Sequence, residues 1–428
     1  MKQYIFIILF FLPGLGFSQI KLVKIHEGSA DLGPCEPSIA INPNTPEQLV
    51  AGSVLDNVYY SDDGGLSWKV QQLRSRYGVW GDPCLIADYS DNFYYFHLSN
   101  PAGKGWKSAE LLDRIVVQKS EDGGRSWSQG SSIGFHDKRH DQDKEWAVAD
   151  PANNNLYVSW TEFDKYRSRK PADSSYILFS SSVDQGETWT EPTRINQRAG
   201  NCLDDDLTVE GAVPAVGPEG QVYVAWAFND SIFFDRSLDG GKTWLAEDRL
   251  VSTQPGGWTF AVPGLDRCNG LPVTACDLSE GPNRGTIYIN WSDQRNGSDN
   301  TDIWLAKSVD GGDSWSEPIR VNNDDSKRHQ FMSWMSVDPK NGYIYIVFYD
   351  RRHTSTHQTD VYLAFSTDGG ESFNNICLTE KSFMLEEGTF FGDYTNIVAY
   401  NGKIYPVWTQ IDGKSLSVWT AIIRQEDL

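Results

Sequence analysis

Apolar and polar residues alternate along this chain in short runs that stop at Gly-, Asn- or Asp-containing turns. That is the period-two signature of strands, and no stretch keeps a helical period long enough to predict a helical domain. The runs come in pairs, and seven pairs can be placed. Their first strands are Pro37–Ile41, Asp82–Ala87, Glu145–Ala149, Gly211–Val216, Leu271–Cys276, Met332–Val337 and Asp393–Ala399. Their second strands are Gln48–Val54, Phe93–Leu98, Leu156–Thr161, Val222–Ala227, Thr286–Trp291, Tyr343–Phe348 and Ile404–Trp408. The chain reads as all-β.

Six of the pairs are followed by a recurring octapeptide, Ser-x-Asp-x-Gly-x-Ser/Thr-aromatic. Its copies are Ser61–Trp68, Ser120–Trp127, Ser182–Trp189, Ser237–Trp244, Ser308–Trp315 and Ser366–Phe373, the third carrying Gln185 where the others have Gly. The Asp accepts hydrogen bonds from turn N–H groups, the Gly takes a positive φ, and the hydroxyl and ring pin the hairpin to its sheet. The octapeptide recurs at intervals of roughly 55 to 71 residues, room for one four-stranded sheet and a loop, which indicates a repeat architecture.

Counting octapeptides suggests six blades of a β-propeller; counting strand pairs gives seven. The seventh pair has no octapeptide, and its third strand, Leu416–Ile422, leaves a blade one strand short. The alternating run Ile20–His26 supplies the missing outer strand, closing the ring and hiding two edges. The expected fold is therefore an all-β propeller with six octapeptide repeats and seven blades closed by the N-terminal strand, six blades being the alternative. If each octapeptide joins a third strand to a fourth, the starts of first strands and the ends of second strands share the opposite rim. That rim surrounds the channel mouth.

Composition adds a compartment. Met1–Ser18 reads as a signal peptide, with Lys2 before an apolar run too short to span a membrane and cleavage near Gln19. Residues 19–428 would form a single propeller, secreted or periplasmic. Six Cys permit disulfides there, with Cys268 and Cys276 the best local pair, and no Cys-x-x-Cys supports a zinc site. A net charge of −21 argues against nucleic acid and anionic membranes as partners. A closed ring offers no free edge, so a monomer is expected.

The rim opposite the octapeptides collects ionisable groups. Strand starts bring Glu36, Asp82, Asp143-Lys144-Glu145-Trp146, Glu210, Arg267, His329, Glu387 and Asp393-Tyr394. Strand ends bring Asp56, His97, Glu162, Asp230, Asp293 with Arg295, Asp350 with Arg351 and Arg352, and Gln410. Four long loops, Asn100–Leu111, Ser131–Asp143, Lys165–Ser174 and Ser252–Asn269, deepen it. Asp137, Asp141 and Asp143, or the run Asp204-Asp205-Asp206, offer oxygens to calcium, yet neither has the spacing of a known loop, and no metal or cofactor is expected.

The octapeptide is the Asp box, or BNR repeat, and the chain resembles the sialidase-like superfamily of secreted β-propellers. Asp143-Lys144-Glu145-Trp146 and Gly392-Asp393-Tyr394 resemble segments of secreted bacterial BNR-repeat proteins labelled exo-sialidase-like. Sialidases use an Arg triad for the substrate carboxylate, a Tyr nucleophile activated by a Glu, and an Asp acid. Carried onto this chain, the resemblance implies Tyr394 as nucleophile, Glu210 as its base and Asp82 as acid. Arg267, Arg295 and Arg351 would form the clamp, with His97, Trp146, His329 and Asp393 completing a site for an acidic glycan. The family's Phe-Arg-Ile-Pro segment is replaced here by Gly33-Pro34-Cys35-Glu36-Pro37. Two other classes fit the same rim: a polysaccharide lyase drawing a proton with His97 or His329 and Tyr394, and a propeller that binds a glycan or protein without turning it over. Structural roles compete residue by residue: a repeated Asp–Arg bridge in Asp293-Gln294-Arg295 and Asp350-Arg351-Arg352, a Lys144–Glu145 ion pair, and Trp146 as a channel plug.

Overall fold

A computed structural model describes residues 20–29, 33–135, 139–354, 356–385 and 387–428. The expected signal peptide, Met1–Ser18, and Asp137 lie outside the described residues. Among those described, seven antiparallel sheets follow one another as blades, each running from an innermost first strand to an outer fourth. The innermost strands are Ser38–Ile41, Cys84–Ala87, Asp141–Ala149, Glu210–Val216, Val273–Cys276, Gln330–Val337 and Asn396–Tyr400. Each packs on the next and the last on the first, so the blades form a ring. Blade six carries an additional short strand, Phe383–Met384, on its third strand, Gln358–Ser366.

The ring closes as the alternation predicts. Lys21–Ser29 pairs antiparallel with Ser415–Arg424, Leu22 opposite Ala421 and Gly28 opposite Leu416. The strand's inward side chain Ile25 is buried against Tyr59, Tyr405 and Val407, which ties blade seven to blade one.

Large rings on the second strands fill the spaces between blades. Trp160, Trp226, Trp291 and Trp408 occupy corresponding places in blades three, four, five and seven and are almost wholly buried. Each such ring removes enough apolar surface from water to contribute about 2 to 3 kcal/mol.

The six Asp boxes repeat one set of hydrogen bonds around the Asp carboxylate on the rim away from these strand starts. In the first, Ser61 Oγ donates to Asp63 Oδ1 (2.8 Å), the Ser67 N–H donates to the same oxygen (2.9 Å) and Trp68 Nε1 donates to the Gly65 carbonyl (3.0 Å). At Asp239 this cradle of donors, led by the Thr243 hydroxyl, holds the carboxyl down at about 2. Gln185 takes the positive φ of 60° that its box requires and accepts from Lys119 of blade two (2.9 Å).

All six cysteines are free thiols, so the expected Cys268–Cys276 pair does not form. Cys268 sits in the hairpin Thr259–Phe260/Cys268–Asn269, whereas Cys276 ends the innermost strand of blade five.

Candidate functional site

Two residues ahead of the innermost strand's ladder, five blades place a residue in the left-handed region: Glu36 (φ 54°), Asp82 (51°), Lys144 (56°), Gly211 (81°) and Met332 (50°). In blades three, four and six the register shifts there, between Asp143 and Trp146, Glu210 and Val213, and Phe331 and Trp334. A bulge of this kind re-aims the side chain, at about 1 to 2 kcal/mol for a residue other than Gly. In blades one, two and three the residue so aimed is charged.

These charges meet a fourth from blade seven. Lys144 Nζ lies 2.7 Å from Asp393 Oδ2 and 3.6 Å from Asp82 Oδ2. Arg267 Nε approaches the other Asp393 oxygen at 2.9 Å, and its Nη1 lies 3.4 Å from Asp204 Oδ2. Tyr166 donates its hydroxyl to that same Asp204 oxygen at 2.6 Å. The Asp393 backbone is fixed as well, its N–H donating to Glu36 Oε1 (3.0 Å) and its carbonyl accepting from Asn269 Nδ2 (2.8 Å). Gly392 permits this approach: at φ 97°, a Cβ there would stand 2.8 Å from the Glu36 side chain.

The network forms one wall of a cleft of about 390 Å³, lined also by Asp143, Arg167, Trp80, Trp106, Leu112, Val54, Leu55 and Phe390. Its acids divide by the direction in which their surroundings shift them. Burial pushes the Asp143 carboxyl up to about 7 against the pull of Lys144, and burial likewise raises Asp82. Glu36 rises well above the carboxylate range through burial and then the nearby Asp82 and Asp393. Burial would raise Asp393 too, but Arg267 and Lys144 outweigh it and hold its carboxyl low. The mouth therefore offers carboxyls raised by burial beside two fixed cations, an arrangement suited to acid–base work on a bound polar ligand.

The expected site residues fall into three groups. Asp82, Arg267 and Asp393 line the cleft. Tyr394 and Trp146 line the neighbouring channel pocket, which shares Lys144 and Asp393 with the cleft. Trp146 packs there against Trp334 (4.2 Å between centroids) and Tyr394 (4.9 Å), plugging the channel. The Tyr394 phenol is raised well above 10 by burial and then by Glu36, Asp82 and Glu145. Glu210 is fully buried with neither oxygen hydrogen-bonded, and the charges that bear on it are Asp204, Lys144, Asp143 and Arg267. Lys144 pairs across blades to Asp82 and Asp393, not with Glu145, whose buried oxygens also lack hydrogen-bond partners.

The other four stand apart from the cleft's lining. Arg295 is clamped on Asp293 (2.6 Å) and stacked over Trp304, and in blade six the matching bridge is Arg352 to Asp350 (2.7 Å). Arg351 instead donates to Thr359 Oγ1 (3.0 Å) and the Pro263 carbonyl (2.7 Å). The three arginines therefore do not converge. His97 is enclosed between the Leu98 carbonyl and Gln118, and His329 meets Thr301; burial lowers both imidazoles to about 4. Of the acidic run, Asp204 joins the cation network, Asp205 caps its own turn and Asp206 accepts the N–H groups of Trp258 and Asp230.

Sequence reasoning did not single out Tyr166, Trp80 or Trp106, and met Asp204 only as an oxygen donor for calcium. The one signal for Trp106 is a large aromatic in a Gly-rich loop longer than its hairpin needs.

Comparison with known proteins agrees with this fold. The model of the BNR/Asp-box repeat matches residues 59–70, the first box. No curated protein matches the chain in sequence. Among solved structures it is similar to a polysaccharide lyase of family PL25, an ulvan lyase, at 12% identity and a TM-score of 0.56, covering 95% of this chain and 96% of that one. It is similar to the Hadza microbial sialidase Hz136 at 16% identity and 0.50, covering 89% and 74%. It is also similar to a protein of unknown function from Dyadobacter fermentans at 12% and 0.52, covering 96% and 100%. At these identities the likeness is one of fold. Box and ring together define a seven-bladed β-propeller with Asp-box repeats.

Proposed function

We propose that this propeller is exported, that its cleft binds an acidic saccharide, and that it hydrolyses the bond to the next sugar as a sialidase-like glycosidase. One observation carries the reading: two carboxyls raised by burial, Asp143 and Asp82, line the same cleft as the cations Lys144 and Arg267. Arg267 and Lys144, which Asp393 holds in place, meet the ligand's anionic group, while exposed Arg167 adds a third cation. Asp143 keeps its proton up to about pH 7 and suits the leaving oxygen. Asp82 is the second carboxyl. The Tyr394–Glu210 couple has no support in this geometry, because the Tyr394 hydroxyl donates to the Pro83 carbonyl (3.4 Å) and the Glu210 carboxyl accepts no hydrogen bond among the described residues; Tyr394 serves as part of the channel floor.

The test is a screen of purified protein against sialosides, uronate polysaccharides and neutral glycans, with Asp143→Asn, Asp82→Asn and Tyr394→Phe in parallel. Turnover of an acidic glycan that is lost in both Asn variants and kept in Tyr394→Phe supports the reading. Loss in Tyr394→Phe alone would return the chemistry to a Tyr nucleophile. An unsaturated product would make the protein a lyase, and binding without turnover would make it a lectin-like propeller.

A further inference from the structure

Trp106 is the most exposed aromatic side chain lining the cleft, 65% exposed, and its ring is nevertheless held by neighbours. It stacks on Tyr166 with centroids 5.7 Å apart and planes 19° from parallel, and it meets Trp80 edge-on at 6.1 Å. The one-turn 3-10 helix Gly105–Lys107 presents it. Gly105 lies flat on Trp80 with φ 52°, where a Cβ would come within 2.5 Å of the indole. The Asn100 side chain accepts the Gly105 N–H at 3.1 Å. Tyr166 is tied in turn through Asp204 to Arg267, so the ring pair and the cation share one support. Phe390, 44% exposed, lines the same cleft.

An exposed Trp fixed by two rings and a glycine is a preorganised flat surface, not a stray apolar residue. Its surroundings select the occupant. The surface is one ring in a recess of about 390 Å³ beside charged groups, too small for a protein interface, which needs about 800 Å² per partner. The recess falls in the ordinary small-ligand range of about 300 to 1,000 Å³, room for more than one sugar ring. A pyranose has the matching form: an apolar C–H face to lie on the indole and hydroxyls at its rim for the polar wall.

We infer that Trp106, backed by Tyr166 and Trp80, is a second sugar subsite that takes a neutral pyranose joined to the acidic residue held at Lys144 and Arg267. This rests on the acidic-saccharide reading of the cleft and narrows it: the substrate class is an oligosaccharide, and a free acidic monosaccharide fills only half of the site.

The experiment is calorimetric titration of the Asp143→Asn protein, in which turnover cannot interfere, with and without Trp106→Ala. The probes are 3′-sialyllactose against free N-acetylneuraminate, and glucuronosyl-rhamnose against free glucuronate. Losing an exposed aromatic contact weakens the oligosaccharide of whichever pair binds by about tenfold and leaves its monosaccharide unchanged, while Trp106→Phe retains most of the affinity. Equal weakening of oligosaccharide and monosaccharide, or no weakening of either, overturns the subsite while leaving the acidic-saccharide reading intact. Absence of binding by every probe overturns both.

Discussion

Lys144 of blade three and Asp393 of blade seven, 249 residues apart in the chain, meet at 2.7 Å in the channel mouth, each almost wholly buried. Burial alone would lower the Lys144 ammonium, yet Asp393 and Asp82 carry it well above its ordinary value, and the pair is ionised. Asp393→Asn leaves Lys144 and Arg267 short of their shared counter-charge. A loss of about 3 to 5 kcal/mol in urea unfolding is expected, with Lys144→Met/Asp393→Leu recovering much of it. Equal losses in the single and double variants would show that packing, not charge, holds this joint.

Asp143 fixes a pH dependence. Its folded value of about 7 stands above the ordinary 3.8, so between those values the folded protein keeps a proton that the unfolded chain releases. Stability therefore falls as pH rises from about 4 to about 7. Asp143→Asn removes that slope: its melting temperature should gain on the wild type across this window and run parallel to it above. Turnover should decline above about pH 7, where the acid is spent. A constant difference in melting temperature from pH 4 to 8 would rule out the raised carboxyl.

Removing Lys21–Ser29 uncovers the edge of the last strand from Ser415 to Ile422. The truncated chain should aggregate or melt well below the full one, through an open sheet edge and lost contacts around Ile25. An unchanged melting temperature would mean that the strand is ornamental.

The Asp boxes should affect stability without touching the cleft. Trp315 is half-buried and meets Phe234 edge-on at 5.1 Å, so Trp315→Ala should cost about 2 kcal/mol, below the full-burial penalty, with glycan affinity of the folded protein unchanged. Asp239, depressed to about 2 chiefly by the Thr243 hydroxyl, contributes stability that is present above its ordinary 3.8 and lost as pH falls toward 2. Asp239→Ala should lower the melting temperature at pH 7 and converge with the wild type in acid. Lost affinity in a Trp315 variant that folds normally would place the boxes at the site.

The leader reading is tested by fractionation and N-terminal sequencing. Recovery of a monomer beginning near Gln19 outside the cytoplasm is the expected result, and an intact Met1 in the cytoplasm would end it. Among the described residues no helix is long and apolar enough to cross a membrane.

Alternation made the blades legible: Phe93–Leu98 and Val222–Ala227 have the bounds that their side chains predict, and so, within a few residues, does the closing strand. Strand starts near the mouth are less legible: Asp141 and Gln330 begin strands ahead of the predicted Glu145 and Met332, whereas Cys84, Val273 and Asn396 begin theirs after the predicted Asp82, Leu271 and Asp393. Asp393 stands ahead of its strand, its N–H donating to Glu36 and its carboxylate meeting two cations. The rim of the site was also legible, since it follows from topology. Partner choice was not, because it depends on left-handed backbone at Glu36, Asp82 and Lys144 and on loops with no period. Arg351 illustrates the difference. It looks equivalent to Arg295, but the bridge recurs two residues beyond the aspartate, at Arg352, which leaves Arg351 a separate role.

Ring closure carries a consequence in time. Among the described residues the first strand pairs with the last, and Asp393, the hub that joins Lys144 to Arg267, belongs to the blade they complete. No partial product of synthesis holds the assembled mouth. Lys144 and Arg267 gain their shared counter-charge only once blade seven is in place, so the ring and the charged wall of the cleft are completed together.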